Sequence, residues 1–226
     1  MDRPSLAVVI PCHNEAATLE PVLRGAGRHG DLLVVDDRST DGSAAIAQAC
    51  GARVLSPHRP GYDGALETGL RRAFEDGYRF VVTMDADGEH DPAAVADFAR
   101  AFEDGAELVC GIRAKPQRAA EHVVAAVGAA RFQVRDLLCG MKGYSRPVLE
   151  RYFESGLPLS VNMAPAILWR RLDGGFAQVP VTGTPRTDAP RFGRALRANW
   201  AILKAFKAVL ASTRAAARKI RTEGAS

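Results

Sequence analysis

Three apolar runs in the first half of this chain each lead into acidic residues, and that layout constrains the fold more than any other feature. Residues 6–11 read as a strand leading to Asn14-Glu15. Residues 32–36 read as one closing on Asp36-Asp37, and residues 80–84 as one stopping at Asp85-Ala86-Asp87. Helical patterns occupy 15–23, 42–50, about 64–75 and 92–102. Asp41 is placed to cap the second, while Asp91 and Pro92 suit the N-cap and first turn of the fourth. Shorter strands are expected at 53–55 and 108–110. Strands that are apolar throughout, rather than alternating, are buried on both faces. The expected class is therefore α/β, a mostly parallel Rossmann-like central sheet flanked by helices. Ligands in such sheets sit beyond the carboxyl ends of the strands. All three acidic endings then share one edge, where carboxylates repel unless a cation or hydrogen-bond donors compensate them.

Asp85-Ala86-Asp87 puts two hard oxygen ligands in one loop, which suits Mg²⁺ or Mn²⁺ completed by water and phosphate oxygens. Two other patterns are set aside. Gly25-Ala26-Gly27-Arg28-His29-Gly30 has the letters of a dinucleotide fingerprint, but it follows a helix and opens a strand, the reverse of what that fingerprint requires. Residues 85–91 alternate acids as a calcium loop does, yet His90 stands where glycine is needed and no Glu closes the loop. The five histidines form no ligand-spaced cluster. His29 and His58 are expected on surface loops, and His90 beside the acidic loop. Cys12, Cys50, Cys110 and Cys139 are scattered without a C-x-x-C pair, so neither a zinc site nor a disulfide framework is expected. A reduced cytosolic setting is the default.

The 226 residues suffice for one large domain with a substantial core. Beyond Gly111 the pattern weakens. Helices are expected at 119–132, 147–154 and 164–172 and a strand at 176–181, with Gly174-Gly175 and residues 180–190 as breakers. Residues 6–11 are too short for the apolar region of a secretory leader. No apolar stretch approaches the roughly 20 residues of a membrane span. The net charge of +4 is unevenly spread: residues 189–226 carry nine Lys/Arg against Glu223 alone, and the remainder is net acidic. From Arg191 to about residue 220, Phe192, Leu196, Trp200, Leu203, Phe206 and Leu210 recur at helical spacing. A cationic helix with an apolar stripe suits an in-plane position on an anionic membrane surface. It equally suits docking on its own domain with the basic residues in water. The expected organisation is a domain over 1–190, with halves meeting near 111, followed by a basic amphipathic helix over 191–226.

Four segments in order resemble the family 2 glycosyltransferases of the GT-A fold, in their dolichol/polyprenol-phosphate sugar synthase branch. Val8-Val9-Ile10-Pro11-Cys12-His13-Asn14-Glu15 is similar to the family's V-V-I-P-x-x-N-E. Val34-Val35-Asp36-Asp37-Arg38-Ser39-Thr40-Asp41-Gly42 is similar to V-D-D-x-S-x-D-G, and Arg59-Pro60-Gly61-Tyr62-Asp63-Gly64 to its glycine-rich loop. Thr83-Met84-Asp85-Ala86-Asp87-Gly88-Glu89-His90-Asp91-Pro92 is close to M-D-A-D-x-Q-H-x-P. Downstream, Asp136 to Tyr144 resembles the acceptor-side D-x-x-x-G-x-x-x-Y segment.

The resemblance implies transfer of a hexose from a GDP- or UDP-linked sugar with inversion. It implies that Pro11, His13, Asn14, Glu15, Val35, Asp37 and Ala86 hold the nucleotide and that Asp85 and Asp87 bind Mg²⁺ or Mn²⁺. Glu89 stands where the family has Gln and joins the metal set; His13 stands where it has an aromatic. Arg113 is implied to meet phosphate oxygens, and Arg118 and Lys142 the acceptor. Arg186 and Arg191 fall in a segment one residue shorter than the family's R-x-x-G-x-S-K. A phosphate acceptor needs no general base, whereas a hydroxyl acceptor does. The chain lacks the E-D and Q-x-x-R-W pair of polysaccharide-making relatives, which favours a polyprenyl or dolichyl phosphate. Asp136 keeps a soluble or polysaccharide hydroxyl acceptor open as its candidate base. The implied setting is cytoplasmic, peripheral at the inner face of the cell membrane. A nucleic-acid partner would leave Asp85 and Asp87 without a role and is not expected; no residue pattern sets an oligomeric state.

Overall fold

Residues too apolar to face water on either side form the centre of a seven-stranded sheet. The structure, a computed structural model, describes residues 5–114, 118–160, 162–182 and 195–223. Strands β1 (Leu6–Cys12), β2 (Asp31–Asp36), β3 (Arg53–Leu55) and β4 (Phe80–Thr83) alternate with helices α1 (Ala16–Ala26), α2 (Ser43–Ala49) and α3 (Tyr62–Glu75). Then follow α4 (Ala94–Glu103), β5 (Leu108–Arg113), α5 (Ala119–Phe132), β6 (Lys142–Ser145) and α6 (Arg146–Ser155). The chain closes with α7 (Ala164–Arg171), β7 (Phe176–Val181) and α8 (Ala195–Glu223). Strand order is β3-β2-β1-β4-β6-β5-β7. β1 pairs in parallel with β2 and β4, β2 with β3, and β5 with β7.

The sheet separates two cores, and strand periodicity decides which residue enters which. Ala7 and Val9 face α3, α6 and α7, whereas Leu6, Val8 and Ile10 face α1 and α4. Parallel pairing brings the carboxyl ends of β1, β2 and β4 side by side. The three acidic endings therefore meet on one edge, as the sequence pattern requires.

The expected elements form with ends shifted by a few residues, and one strand was not expected. β6 runs antiparallel between β4 and β5, so that Lys142 faces Thr83 and Tyr144 faces Val81. Its four residues, Lys-Gly-Tyr-Ser, lack the apolar run that marks the other strands. They are nonetheless all buried, and the strand is held by polar contacts at its start. Thr83 Oγ1 donates to the Gly140 carbonyl at 2.8 Å and accepts from the Lys142 amide at 3.1 Å. Asn162 Nδ2 also donates to Thr83 Oγ1 at 3.1 Å, and Tyr144 OH donates to Asn162 Oδ1 at 2.6 Å.

Helix α8 also differs from expectation in the face it docks. Ala198, Phe206, Val209, Thr213 and Ala217 are buried, whereas Trp200 is 70% exposed and Leu203 39%. At 3.6 residues per turn Trp200 lies about 120° round the helix from Phe206, so one stripe cannot hold both against the domain. Phe192 lies outside the described residues, and so does the side chain of Leu196. No described helix is long and apolar enough to cross a membrane.

Gly143 shows how tightly β6 is inserted. A Cβ there would come 2.7 Å from Phe102 and 3.0 Å from Phe98 on α4. Gly143→Ala is expected to destabilise the fold by about 1–3 kcal/mol through overpacking. The check is a urea titration, which should move the midpoint without changing the slope.

Candidate active site

The loops after β1 and β2 are tied together before any ligand enters. Asn14, in the left-handed region at φ 56°, receives a hydrogen bond at Oδ1 from the Thr40 amide at 2.8 Å. Its own amide donates to Ser39 Oγ at 2.9 Å. Asp41 Oδ2 accepts from the Ala16 amide at 2.9 Å and Oδ1 from Ser43 Oγ at 2.6 Å, so this acid spans the starts of α1 and α2. These donors hold the Asp41 carboxyl below its ordinary value, led by the Ser43 hydroxyl. The N-cap position of α2 falls on Gly42 rather than on Asp41, which instead accepts from the Ser43 amide at 3.1 Å from one residue ahead.

Asp37 sits at the centre of this half. Its Oδ2 accepts from the Gly61 amide at 2.6 Å, which fixes the loop opening α3, and its Oδ1 meets Arg38 Nε at 3.2 Å. His13 Nδ1 donates to the Asp37 carbonyl at 2.6 Å, because a carbonyl only accepts. The exposed His13 ring is thereby held beside Asp37. Pro11 and Val35 are buried within their strands and support these loops from below. The Glu15 amide donates to Ser43 Oγ at 3.0 Å.

The paired acids follow β4. Asp85 presses against the backbone of Gly140, where any Cβ would overlap its carboxylate. Tyr62, 39% exposed, donates from its hydroxyl to Asp85 Oδ1 at 3.0 Å. His90 lies buried below, with Nδ1 3.9 Å from Asp85 Oδ2 and Nε2 3.6 Å from Cys139 Sγ. Asp87 Oδ1 accepts from the Glu89 amide at 3.0 Å, and the Ala86 carbonyl accepts from Thr18 Oγ1 at 2.9 Å.

Burial pushes the Asp85 carboxyl up, against the pull of His90, and the like charge of Asp87 pushes the same way. A cation at this loop would relieve that repulsion. Among the described residues no cluster of three or more His, Cys, Asp or Glu surrounds the pair. Two carboxylates with open positions fit a hard divalent ion that takes its remaining ligands from water and phosphate.

On the other side of Asp85, β5 ends in Arg113, whose Nε donates to Asp136 Oδ2 at 2.8 Å and Nη2 to Asp136 Oδ1 at 3.0 Å. Nη2 also meets Glu121 Oε2 at 3.3 Å. Burial would raise the Asp136 carboxyl, but the Arg113 fork outweighs it and holds the group below its ordinary 3.8. Lys142 is fully buried and donates to the Cys139 carbonyl at 2.5 Å, its ammonium pushed down by burial. Arg118 stands just ahead of α5, in extended conformation.

Residues 7–126 match Glycosyl transferase family 2. The chain belongs to that family. This glycosyltransferase is 32% identical over 213 residues to a polyprenol monophosphomannose synthase of Mycolicibacterium smegmatis, across 79% of this chain and 77% of that protein. It is 38% identical to an undecaprenyl-phosphate mannosyltransferase of Micrococcus luteus, across 48% of each. The chain thus spans about half the length of that second relative. Among solved structures it resembles a glucosyl-3-phosphoglycerate synthase of Mycobacterium tuberculosis in complex with Mn²⁺, uridine diphosphate and phosphoglyceric acid. The TM-score is 0.72 and the identity 25%, over 93% of this chain and 78% of that one. The same synthase with Mg²⁺ and uridine diphosphate gives a TM-score of 0.70.

The glycosyltransferase fold gathers His13, Asp37, Asp85, Asp87, Arg113 and Asp136 on one edge. Lys142 joins them only from beneath, and Arg186 and Arg191 lie outside the described residues. Tyr62, His90, Cys139 and Gly140 carry no role in the sequence pattern, and their contacts with Asp85 or with each other depend on the fold. Tyr62 in the glycine-rich loop and Gly140 in the acceptor segment were the available signals.

Asp136 contributes stability that is present above its unfolded value and lost as pH falls through its lower folded value. Asp136→Asn is expected to cost about 2–5 kcal/mol at neutral pH, because Arg113 then keeps a half-buried charge with a weakened partner. Below pH 3.8 the gap between variant and wild type should close as the native carboxylate protonates, which urea titrations in a pH series measure.

Proposed function

We propose that this glycosyltransferase moves a hexose from a GDP- or UDP-linked sugar to a polyprenyl phosphate, with inversion at the anomeric carbon. Asp85 and Asp87, with Glu89 at the rim of the loop, are the residues that would hold Mg²⁺ or Mn²⁺. The state of Asp136 carries the acceptor half of this reading. A hydroxyl acceptor needs a general base. Asp136 and Glu121 both engage Arg113, and a carboxylate held low in pKa is a weak base. A phosphate acceptor enters as an anion and needs none. The polyprenol and undecaprenyl-phosphate acceptors in the relatives' names agree with this choice.

In this reading an acceptor phosphate oxygen attacks the anomeric carbon on the face opposite the diphosphate. A carbon–oxygen bond forms while the bond to the diphosphate breaks, and the departing nucleoside diphosphate keeps the electron pair. No proton is removed. His13 stacks on the base and Asp37 accepts hydrogen bonds from it, while the Asn14 and Glu15 turn shapes the pocket. A bound divalent ion supplies Lewis-acid neutralisation of the leaving diphosphate. Arg186 and Arg191 are assigned to the diphosphate and Arg118 to the acceptor phosphate. Arg113 acts as the fixed cation of that side, and Lys142 positions the loop that backs Asp85. Helix α8, with Trp200 and Leu203 outward, lies in the plane of an anionic membrane at its cytoplasmic face.

Radiolabelled GDP-mannose and UDP-glucose offered with polyprenyl phosphate should give labelled lipid, and Asp85→Asn or Asp87→Asn should abolish it without lowering the melting temperature. Transfer undiminished in EDTA, or label found only on a hydroxyl acceptor such as 3-phosphoglycerate, would overturn the reading. Asp37→Ala should weaken nucleotide binding by about 1.5–3 kcal/mol, the range for a hydrogen bond to a charged group. Calorimetry with UDP and GDP reads this directly; unchanged affinity for both would make Asp37 a clamp for Gly61 alone.

A further inference from the structure

Away from the sheet edge, α5, α7 and α8 enclose a groove of about 500 Å³ lined by Arg131, Arg171, Lys207, Leu210, Ala211 and Arg214. No acid lines it. An adjoining groove of about 310 Å³ shares Arg131, Arg171 and Arg214 and contains one acid, Asp173, which is already paired with Arg221 at 2.6 Å. Among the described residues no carboxylate pairs with Arg131, Arg171, Lys207 or Arg214. Cations that converge without a counter-charge repel one another, and here that repulsion adds to the effect of burial. Burial together with the charges of Arg214 and Arg131 pushes the Arg171 guanidinium below its ordinary value.

Arg171 is also held in place. Its Nε donates to Thr213 Oγ1 at 3.1 Å and its Nη2 to the Leu210 carbonyl at 3.0 Å. Thr213 is fully buried and donates its own proton to the Val209 carbonyl at 2.6 Å, which turns a lone pair toward Arg171. The guanidinium stands 5.1 Å from the centre of the Phe132 ring. Its Nη1 donors have no partner among the described residues. A planar fork fixed in this way, with flexible Arg and Lys side chains around it, matches a tetrahedral oxyanion.

We propose that this groove is a second anion site that takes the phosphoryl oxygens of a phosphate ester. It is separate from the Arg113 side of the candidate active site: Arg131 occupies the last turn of α5 and Glu121, which holds Arg113, the first. Ten residues of helix place them about 15 Å apart. The inference does not rest on the acceptor reading above. Two sources share the chemistry, a soluble phosphate compound and the headgroup of an anionic lipid. Lys207 and Arg214 lie on the same side of α8 as the exposed Trp200 and Leu203, all four within about 60° by helical geometry.

The test uses the full chain, inorganic phosphate as probe, and the double variant Arg131→Gln/Arg214→Gln. Both side chains are exposed and neither touches the donor site. Calorimetry at low ionic strength should give saturable phosphate binding that falls at least about tenfold in the double variant, since two charge-assisted contacts are lost. Arg100→Gln, elsewhere on the surface, should leave it unchanged. Affinity for UDP or GDP with Mn²⁺ and the melting temperature should match wild type throughout, which separates loss of the groove from misfolding. No saturable binding, or equal binding by wild type and double variant, would overturn the proposal. Vesicles of phosphatidylcholine with and without phosphatidylglycerol then identify the source. Displacement of phosphate by the anionic vesicles assigns a lipid headgroup, and its absence assigns a soluble phosphate ester; both leave the site standing.

Discussion

Burial of Asp85 against the backbone of Gly140, two residues from the like charge of Asp87, is the constraint to which the rest of the site answers. A carboxylate in that position is unfavourable by itself, and the fold surrounds it with compensation. Tyr62 donates from α3, His90 lies below, and the buried ammonium of Lys142 adds positive charge behind the loop. None of these removes the strain completely, since the carboxyl stays above its ordinary value. A site that keeps Asp85 under-compensated beside a second acid is suited to a cation.

The same logic divides the edge into two halves with different electrostatics. On the donor side, Asp37, Asn14 and Asp41 accept backbone and side-chain hydrogen bonds that fix three loops relative to one another. On the side proposed for the acceptor, Arg113 gathers Asp136 and Glu121 into a half-buried cluster. Preorganisation of this kind means the loops need little rearrangement when substrate charge arrives. It also withdraws Asp136 from base chemistry, which is why the acceptor is argued to be an anion already.

Much of this was legible in the sequence, because its signals were local. An apolar run of five or six residues followed by acids says both strand and ligand edge, and β1, β2 and β4 obey it. Antiparallel β6 was not legible: Lys-Gly-Tyr-Ser has neither alternation nor an apolar run, and its place is set by Thr83, Asn162 and the rings of Phe98 and Phe102. Lys142, which the family resemblance implies meets the acceptor, is buried by that same insertion. In α8 the apolar residues suggested a single stripe, but the docking face is completed by Ala198, Thr213 and Ala217, small or polar residues that hydropathy alone does not mark. Trp200 is left outside as a consequence. The groove of Arg131, Arg171 and Arg214 draws on three helices and has no sequence signature at all.

The central claim is that Asp85 and Asp87 couple a divalent ion to the nucleoside diphosphate. Calorimetric binding of UDP and GDP with and without Mn²⁺, in wild type and in Asp85→Asn, tests it most directly. The account predicts that Mn²⁺ tightens diphosphate binding in wild type, that the nucleotide tightens Mn²⁺ by the same factor, and that the variant loses this coupling. Equal diphosphate affinity in Mn²⁺ and in EDTA would contradict it.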